Sequence, residues 1–244
     1  MRRFFASLPR RLFLVGMLAG CALIAAASLV YFDFETLPPF AIEKLPVRFE
    51  TLWLVSLRLH VASALVTFPL CLLLATRTLQ RRLTLHRWLG RATGVLVLLA
   101  LVPSGVVLSF DAKGGPVVTA GFLLSAGIVA GAMVLGTLAA RRRELVAHRR
   151  AMRHVVAQMS VAVTSRALLM ALDARGIDPD IAYVVALWLP VLGSAAAVEI
   201  MSLRAPWVWR SWSIIQERVR RVAISSFASV RPRGVESSVA RLGR

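Results

Sequence analysis

The stretch VVTAGFLLSAGIVAGAMVLGTLAARRRELVAHRR, residues 117–150, decides the fold. Its first 24 residues, Val117 to Ala140, carry no charge, and six arginines follow within 141–153. At about 1.5 Å of rise per residue, a helix of that length crosses the about 30 Å of a bilayer's hydrocarbon core. An apolar run closed by arginines therefore reads as a spanning helix that ends among lipid headgroups. Outward from it, five further runs have the same character: residues 12–32, 51–76, 88–110, 155–172 and 181–201. The chain is 58% hydrophobic with a mean hydropathy of +0.72, against about 45–50% apolar in soluble domains. Lipid satisfies no backbone amide, so the spans are expected as helices.

The fold class predicted is an all-α integral membrane protein with six transmembrane helices, one N-terminal plus a five-helix core, and a C-terminal amphipathic interfacial helix. The divisions are a basic N-terminus (1–11), the first helix (12–32), an outer loop (33–50), the five-helix core (51–201), the interfacial helix (202–224) and a disordered basic tail (225–244). Pro69, Pro103 and Pro190 fall inside spans and read as kinks. In the tail, Val208, Trp212, Ile215, Val219 and Val222 recur at helical spacing with Arg210, Glu217 and Arg221 on another face, the pattern of a helix lying on anionic lipid.

A net charge of +18 raises nucleic acid as a partner, and placement removes it. Of 30 Lys and Arg, 24 lie in the N-terminus, 77–91, 141–153 and the tail from Arg204 onward, all on one side if the spans alternate. The positive-inside rule puts that side, with both termini, in the cytoplasm of a bacterial inner membrane. The partners expected are anionic headgroups, not nucleic acid. LAGC at Leu18–Cys21 resembles a lipoprotein cleavage motif, but the apolar run continues to Val30, so an uncleaved helix is expected. Cys21 and Cys71 stand in separate spans without CxxC spacing, which implies neither disulfide nor thiolate site.

Ionisable groups inside spans point to function by default, and four occur: Arg58, His60, Arg166 and Glu199. His60 falls about 13 Å below the outer end and Arg166 about 18 Å above the cytoplasmic end. The two therefore reach similar depth, as an outer-half substrate site with Arg58, Thr164 and Ser165 near. The other histidines gather at the cytoplasmic end: His86 at the head of the third run, His148 and His154 before the fifth. Two imidazoles at one depth on facing helices suit haem b. Gly90 and Gly94 follow His86 at i+4 and i+8 on nearly one face, a groove for a porphyrin or for a close-packed helix. Gly127 and Gly131 repeat the spacing without a histidine, which favours packing. The arginines around these histidines also read as a collar for lipid phosphates. A zinc site from His86, His154 and Glu199 has no recognised metal-motif spacing.

At these residues the chain resembles a family of bacterial membrane proteins, domain of unknown function 2306, over about residues 50–200. The resemblance rests on LRLH (His60), HRWLGRAT (His86–Thr93) for the family's HRxxGRxY, HRRAMRHV (His148–Val155) for HRRWMxRS, and TSR (Arg166). Thr93, Ala151 and His154 replace the family's tyrosine, tryptophan and serine. If the family holds haem, the resemblance favours His148, which matches the motif, over His154. Looser similarity runs to di-haem b-type cytochromes, where HxWLG-like stretches hold haem between helices.

Three functions stand as expectations. The first is a b-type haem electron-transfer protein with His86 and His148 or His154 as axial ligands and a quinone or other redox partner. The second is a cofactor-free carrier or binder of small anionic solutes using His60 and Arg166. The third is a structural or assembly protein.

Overall fold

The structure, a computed structural model, describes residues 8–33, 35 and 39–203. The expected tail beyond 224, and all but the first residues of the expected interfacial helix, lie outside the described residues. The chain divides into two units, residues 1–198 and 199–244. Everything below concerns the first.

Every regular element among the described residues is helical. In chain order these are α1 (Leu8–Ser28) with a 3-10 turn (Leu29–Phe32), the short α2 (Pro39–Lys44), α3 (Glu50–Leu74) and the short α4 (Arg77–Arg81). Then come α5 (Leu83–Leu96), a π turn (Val97–Leu101), α6 (Val102–Ser109), α7 (Gly115–Arg141), α8 (Leu145–Asp173) and α9 (Pro179–Leu203). Six of the described helices are long and apolar enough to cross a membrane, counting α5 to α6 as one. The protein is an all-α multi-pass membrane bundle. Its outward faces agree: Leu23, Leu99 and Met170 are 72–73% exposed, which is tolerable only where lipid replaces water.

Two departures from the sequence reading matter for the site. The fifth spanning helix begins at Leu145, not near 155, so His148, His154 and Arg166 share one helix. Six of the eight residues of AHRRAMRH are Ala, Arg or Met, strong helix formers, and hydropathy alone hid its helical start. The third span contains a π turn, in which Val102 N–H reaches back to the Val97 carbonyl. Pro103 follows immediately, and a proline without an N–H breaks the regular ladder, so the backbone widens just before it.

α3 is the hub, touching α1, α5, the π turn, α6 and α8. The apolar core gathers residues of α3, the π turn, α7 and α8, among them Phe68, Leu72, Val97, Leu101, Met133, Val155 and Met159. Glycines allow the closest approaches. A methyl at Gly136 would strike the Met152 side chain, and one at Gly20 would strike Val163. Gly127 and Gly131, expected as a packing stripe, meet no heavy atom within 4 Å. At one end, Lys44 Nζ donates to the Asp111 carbonyl at 2.7 Å, and Lys113 pairs with Glu43 at 3.6 Å. That ion pair is more than half exposed and adds little, but together these contacts seat α2 against the α6–α7 turn.

One polar network crosses the interior. Gln158, 3% exposed near the middle of α8, accepts from Ser125 Oγ of α7 at 2.9 Å. Its amide nitrogen donates to the Val191 carbonyl and to Ser194 Oγ of α9, each at 3.0 Å. Each bond of this kind contributes about 0.6 kcal/mol in a membrane, and orphaned buried partners cost about 1–3 kcal/mol. Gln158→Ala should therefore lower unfolding free energy in detergent by about 2 kcal/mol, read from denaturant unfolding, whereas loss of one exposed surface hydroxyl should be silent.

Candidate functional site

The bundle has a basic end, carrying 77–91 and 141–153, and an opposite end carrying Asp33, Glu43, Asp111 and Asp178. Candidate residues gather near both.

At the basic end, His86 and His148 are each the fourth residue of their helices, α5 and α8. Both therefore lie about 5 Å inside the helix starts. His154 is six residues further along α8, about 9 Å deeper. His148 Nδ1 lies 2.8 Å from the Gly136 carbonyl. A carbonyl only accepts, so Nδ1–H donates, which in the neutral ring leaves the lone pair on Nε2. The glycine hydrogen at 136 leaves that strip of α7 open to the neighbouring helix. His86 lies within electrostatic reach of His148. Its Nδ1 is buried with no hydrogen-bond partner among the described residues. The two glycines below His86 differ. A methyl at Gly94 would stand 3.8 Å from the Met133 thioether, while one at Gly90 would meet nothing within 4 Å. Outside this pair stand exposed Arg87 and Arg91, the Arg91 guanidinium 5.4 Å from the Trp88 ring centre.

No group of three or more His, Cys, Asp or Glu able to hold a metal ion occurs among the described residues. The zinc trio of the sequence reading thus gains no geometric support. A macrocycle that brings its own four nitrogens asks the protein for only two imidazoles.

Toward the opposite end, His60 Nδ1 donates to the Leu101 carbonyl of the π turn at 3.1 Å. Gly105 makes room for the ring, since a methyl there would come within 3.0 Å of His60 Cε1. Ser104 Oγ lies beside it at 3.4 Å but donates to the Ala100 carbonyl at 2.6 Å. Arg166 on α8 is within electrostatic reach of His60 and of Tyr183 on α9. Its Nη1 donates to the Ala162 carbonyl at 2.7 Å. Arg58 turns elsewhere: Nε and Nη2 donate to the Tyr31 and Asp33 carbonyls at 3.2 and 3.3 Å, holding the end of the first span.

Sequence reasoning missed Gln158, Tyr183 and Trp53. Gln158 carried a usable signal, an amide in the middle of a span. Trp53, 3% exposed, has a buried indole Nε1 without a hydrogen-bond partner among the described residues, and nothing in its sequence context distinguishes it from an interfacial tryptophan.

Six spanning helices with charge concentrated at one end define a multi-pass membrane protein. Residues 57–202, from α3 to α9, match the family described as predicted membrane protein, DUF2306. The chain belongs to that family, and α1 precedes the matched region. No curated protein and no solved structure matches it.

The glycines supply a direct check. Gly105→Val should push the His60 ring off the Leu101 carbonyl and lower stability by about 1–3 kcal/mol. Gly90→Ala should leave stability unchanged or raise it by up to about 1 kcal/mol. Thermal unfolding of both variants against wild type measures the difference.

Proposed function

We propose that this protein is a membrane electron-transfer protein that holds haem b between His86 and His148. The observation that carries the reading is the His148 Nδ1–H bond to the Gly136 carbonyl, the tether by which ligating imidazoles are oriented and made basic. His86 on α5 supports it, at matching depth and with a buried Nδ1 that no group among the described residues bonds. Gly90 leaves space directly below. His154, deeper in α8, is the weaker partner, as the motif match of His148 also suggests.

When bound, haem supplies a one-electron couple. The chain's own part is to orient two imidazoles and to surround them with arginines. We place the basic end and both termini in the cytoplasm of a bacterial inner membrane, on the positive-inside rule. There Arg87, Arg91, Arg149 and Arg150 face anionic headgroups. Electrons would enter and leave through a quinone or another redox partner.

The test is an absorption spectrum of protein purified after expression with ample haem supply, oxidised and then reduced. A Soret band in wild type that disappears in His86→Ala and in His148→Ala, and persists in His154→Ala, is the expected result. Gly90→Leu should lower haem content while its elution volume and helicity stay unchanged. A wild-type protein without a Soret band, or a band that survives both ligand substitutions, ends the proposal.

A further inference from the structure

Trp53 is the fourth residue of α3, about 5 Å inside the helix start, at the end of the bundle opposite His86 and His148. Its side chain is almost wholly buried, yet the indole Nε1 has no hydrogen-bond partner among the described residues. An indole nitrogen only donates, so what is missing is an acceptor. Other polar groups of the interior do not share this lack. Further along the same face of α3, Ser63 and Thr67 donate to the carbonyls of His60 and Ser63. Trp188 sends its Nε1–H to the Val117 carbonyl at 3.2 Å. A buried donor left unpaired is costly, and native structures keep few without a reason.

The short helix α2 covers Trp53. Phe40 stacks on the indole, with ring centres 6.1 Å apart and planes 30° apart, and Ala41 is fully buried in one cluster with Trp53 and Leu57. Val47, Leu54 and Leu108 pack against that cluster. A buried water needs about two to four polar partners, and walls of this kind offer few. The hold on α2 is slight. It is six residues long, fastened by Lys44 Nζ to the Asp111 carbonyl and by the exposed pair of Glu43 with Lys113, and such a pair adds little. Phe40 and Ile42 of α2 are exposed although apolar, as are Leu52 and Val55 at the start of α3, so the way to Trp53 opens on apolar surroundings. The charged groups at this end are otherwise engaged or exposed: Arg58 bonds the Tyr31 and Asp33 carbonyls, and Arg48 and Glu50 face outward. Nothing there asks a ligand for charge.

We infer that α2 is a lid over a binding site at Trp53 for a neutral, apolar molecule that carries a carbonyl. The carbonyl accepts from Trp53 Nε1, and the apolar cluster takes the body of the molecule once α2 moves aside. Two membrane-soluble sources carry this chemistry, a quinone ring and the acyl ester of a lipid. The site does not rest on the haem reading, and iron-free protein serves equally for its test.

Thermal unfolding of the detergent-purified full chain, titrated with two pairs of probes, tests it. One pair is a benzoquinone with a decyl tail and the matching dimethoxybenzene, which has no carbonyl. The other is a short-chain diester phosphatidylcholine and its diether analogue. A saturable rise in Tm with the quinone alone of the two carbonyl probes assigns the ring, with the diester alone the lipid, and with both the shared chemistry. Each result supports the site if the carbonyl-free counterpart binds at least about 3-fold more weakly and Trp53→Phe, which keeps an aromatic ring without the N–H, raises the apparent Kd by about 3-fold or more. Trp188→Phe should leave the Kd unchanged. Should Trp53→Phe not fold, hydrogen exchange of wild type takes its place, and the amides of residues 39–44 should respond to the carbonyl probe and not to its counterpart. No rise with either carbonyl probe, equal binding of a probe and its carbonyl-free counterpart, or equal affinity in Trp53→Phe and Trp188→Phe overturns the inference.

Discussion

In hydrocarbon no polar group finds water, and that constraint governs this bundle throughout. Several hydroxyls inside the spans turn back on their own helices: Thr67 Oγ1 donates to the Ser63 carbonyl, Thr93 to Leu89 and Ser104 to Ala100. Longer polar side chains reach between helices instead. Gln158 joins α7, α8 and α9, His60 joins α3 to the π turn, and His148 joins α8 to α7. Arg58 closes the end of the first span. Apolar packing alone barely distinguishes one helix arrangement from another when lipid is as greasy as leucine. These bonds therefore do much to select the arrangement, and small residues such as Gly20, Gly105 and Gly136 let the helices approach closely enough to form them.

Where nearly every interior polar atom is satisfied, the exceptions carry the functional argument. His86 Nδ1 and Trp53 Nε1 are buried without partners among the described residues, and Arg166 spends one donor on its own helix. Native structures keep few such atoms, and each calls for a reason. They fall in two places, one beside His148 at the basic end and one along the His60 face of α3 toward the other. The two places lie at opposite ends of the bundle with the apolar core of Phe68, Leu72, Val97 and Val155 between them.

The helices were legible in the sequence because run length and the absence of charge report directly on bilayer thickness. The start of α8 was not, since an arginine-rich turn scores as polar although its backbone stays helical beyond the hydrocarbon. Depth along a helix could be read from residue counts, and this brought His60 toward Arg166 and placed His86 at the collar. Rotation about each helix could not be read. That is why Gly127 and Gly131 looked like an interface but face outward, why Arg58 looked like a ligand-binding group but caps a helix end, and why Tyr183 went unnoticed beside Arg166. The π turn before Pro103 carries the Leu101 carbonyl that accepts from His60, a backbone event to which the side-chain pattern gives no clue beyond the proline itself.

The ligation claim has a direct spectroscopic readout. Electron paramagnetic resonance of the oxidised, purified protein, with its iron counted per chain, reports the axial ligands themselves. Ligation by His86 and His148 predicts one iron per chain in a low-spin state with two imidazoles, converting to high spin when His148 is replaced by alanine. Iron-free protein, or a low-spin signal indifferent to that replacement, would contradict it.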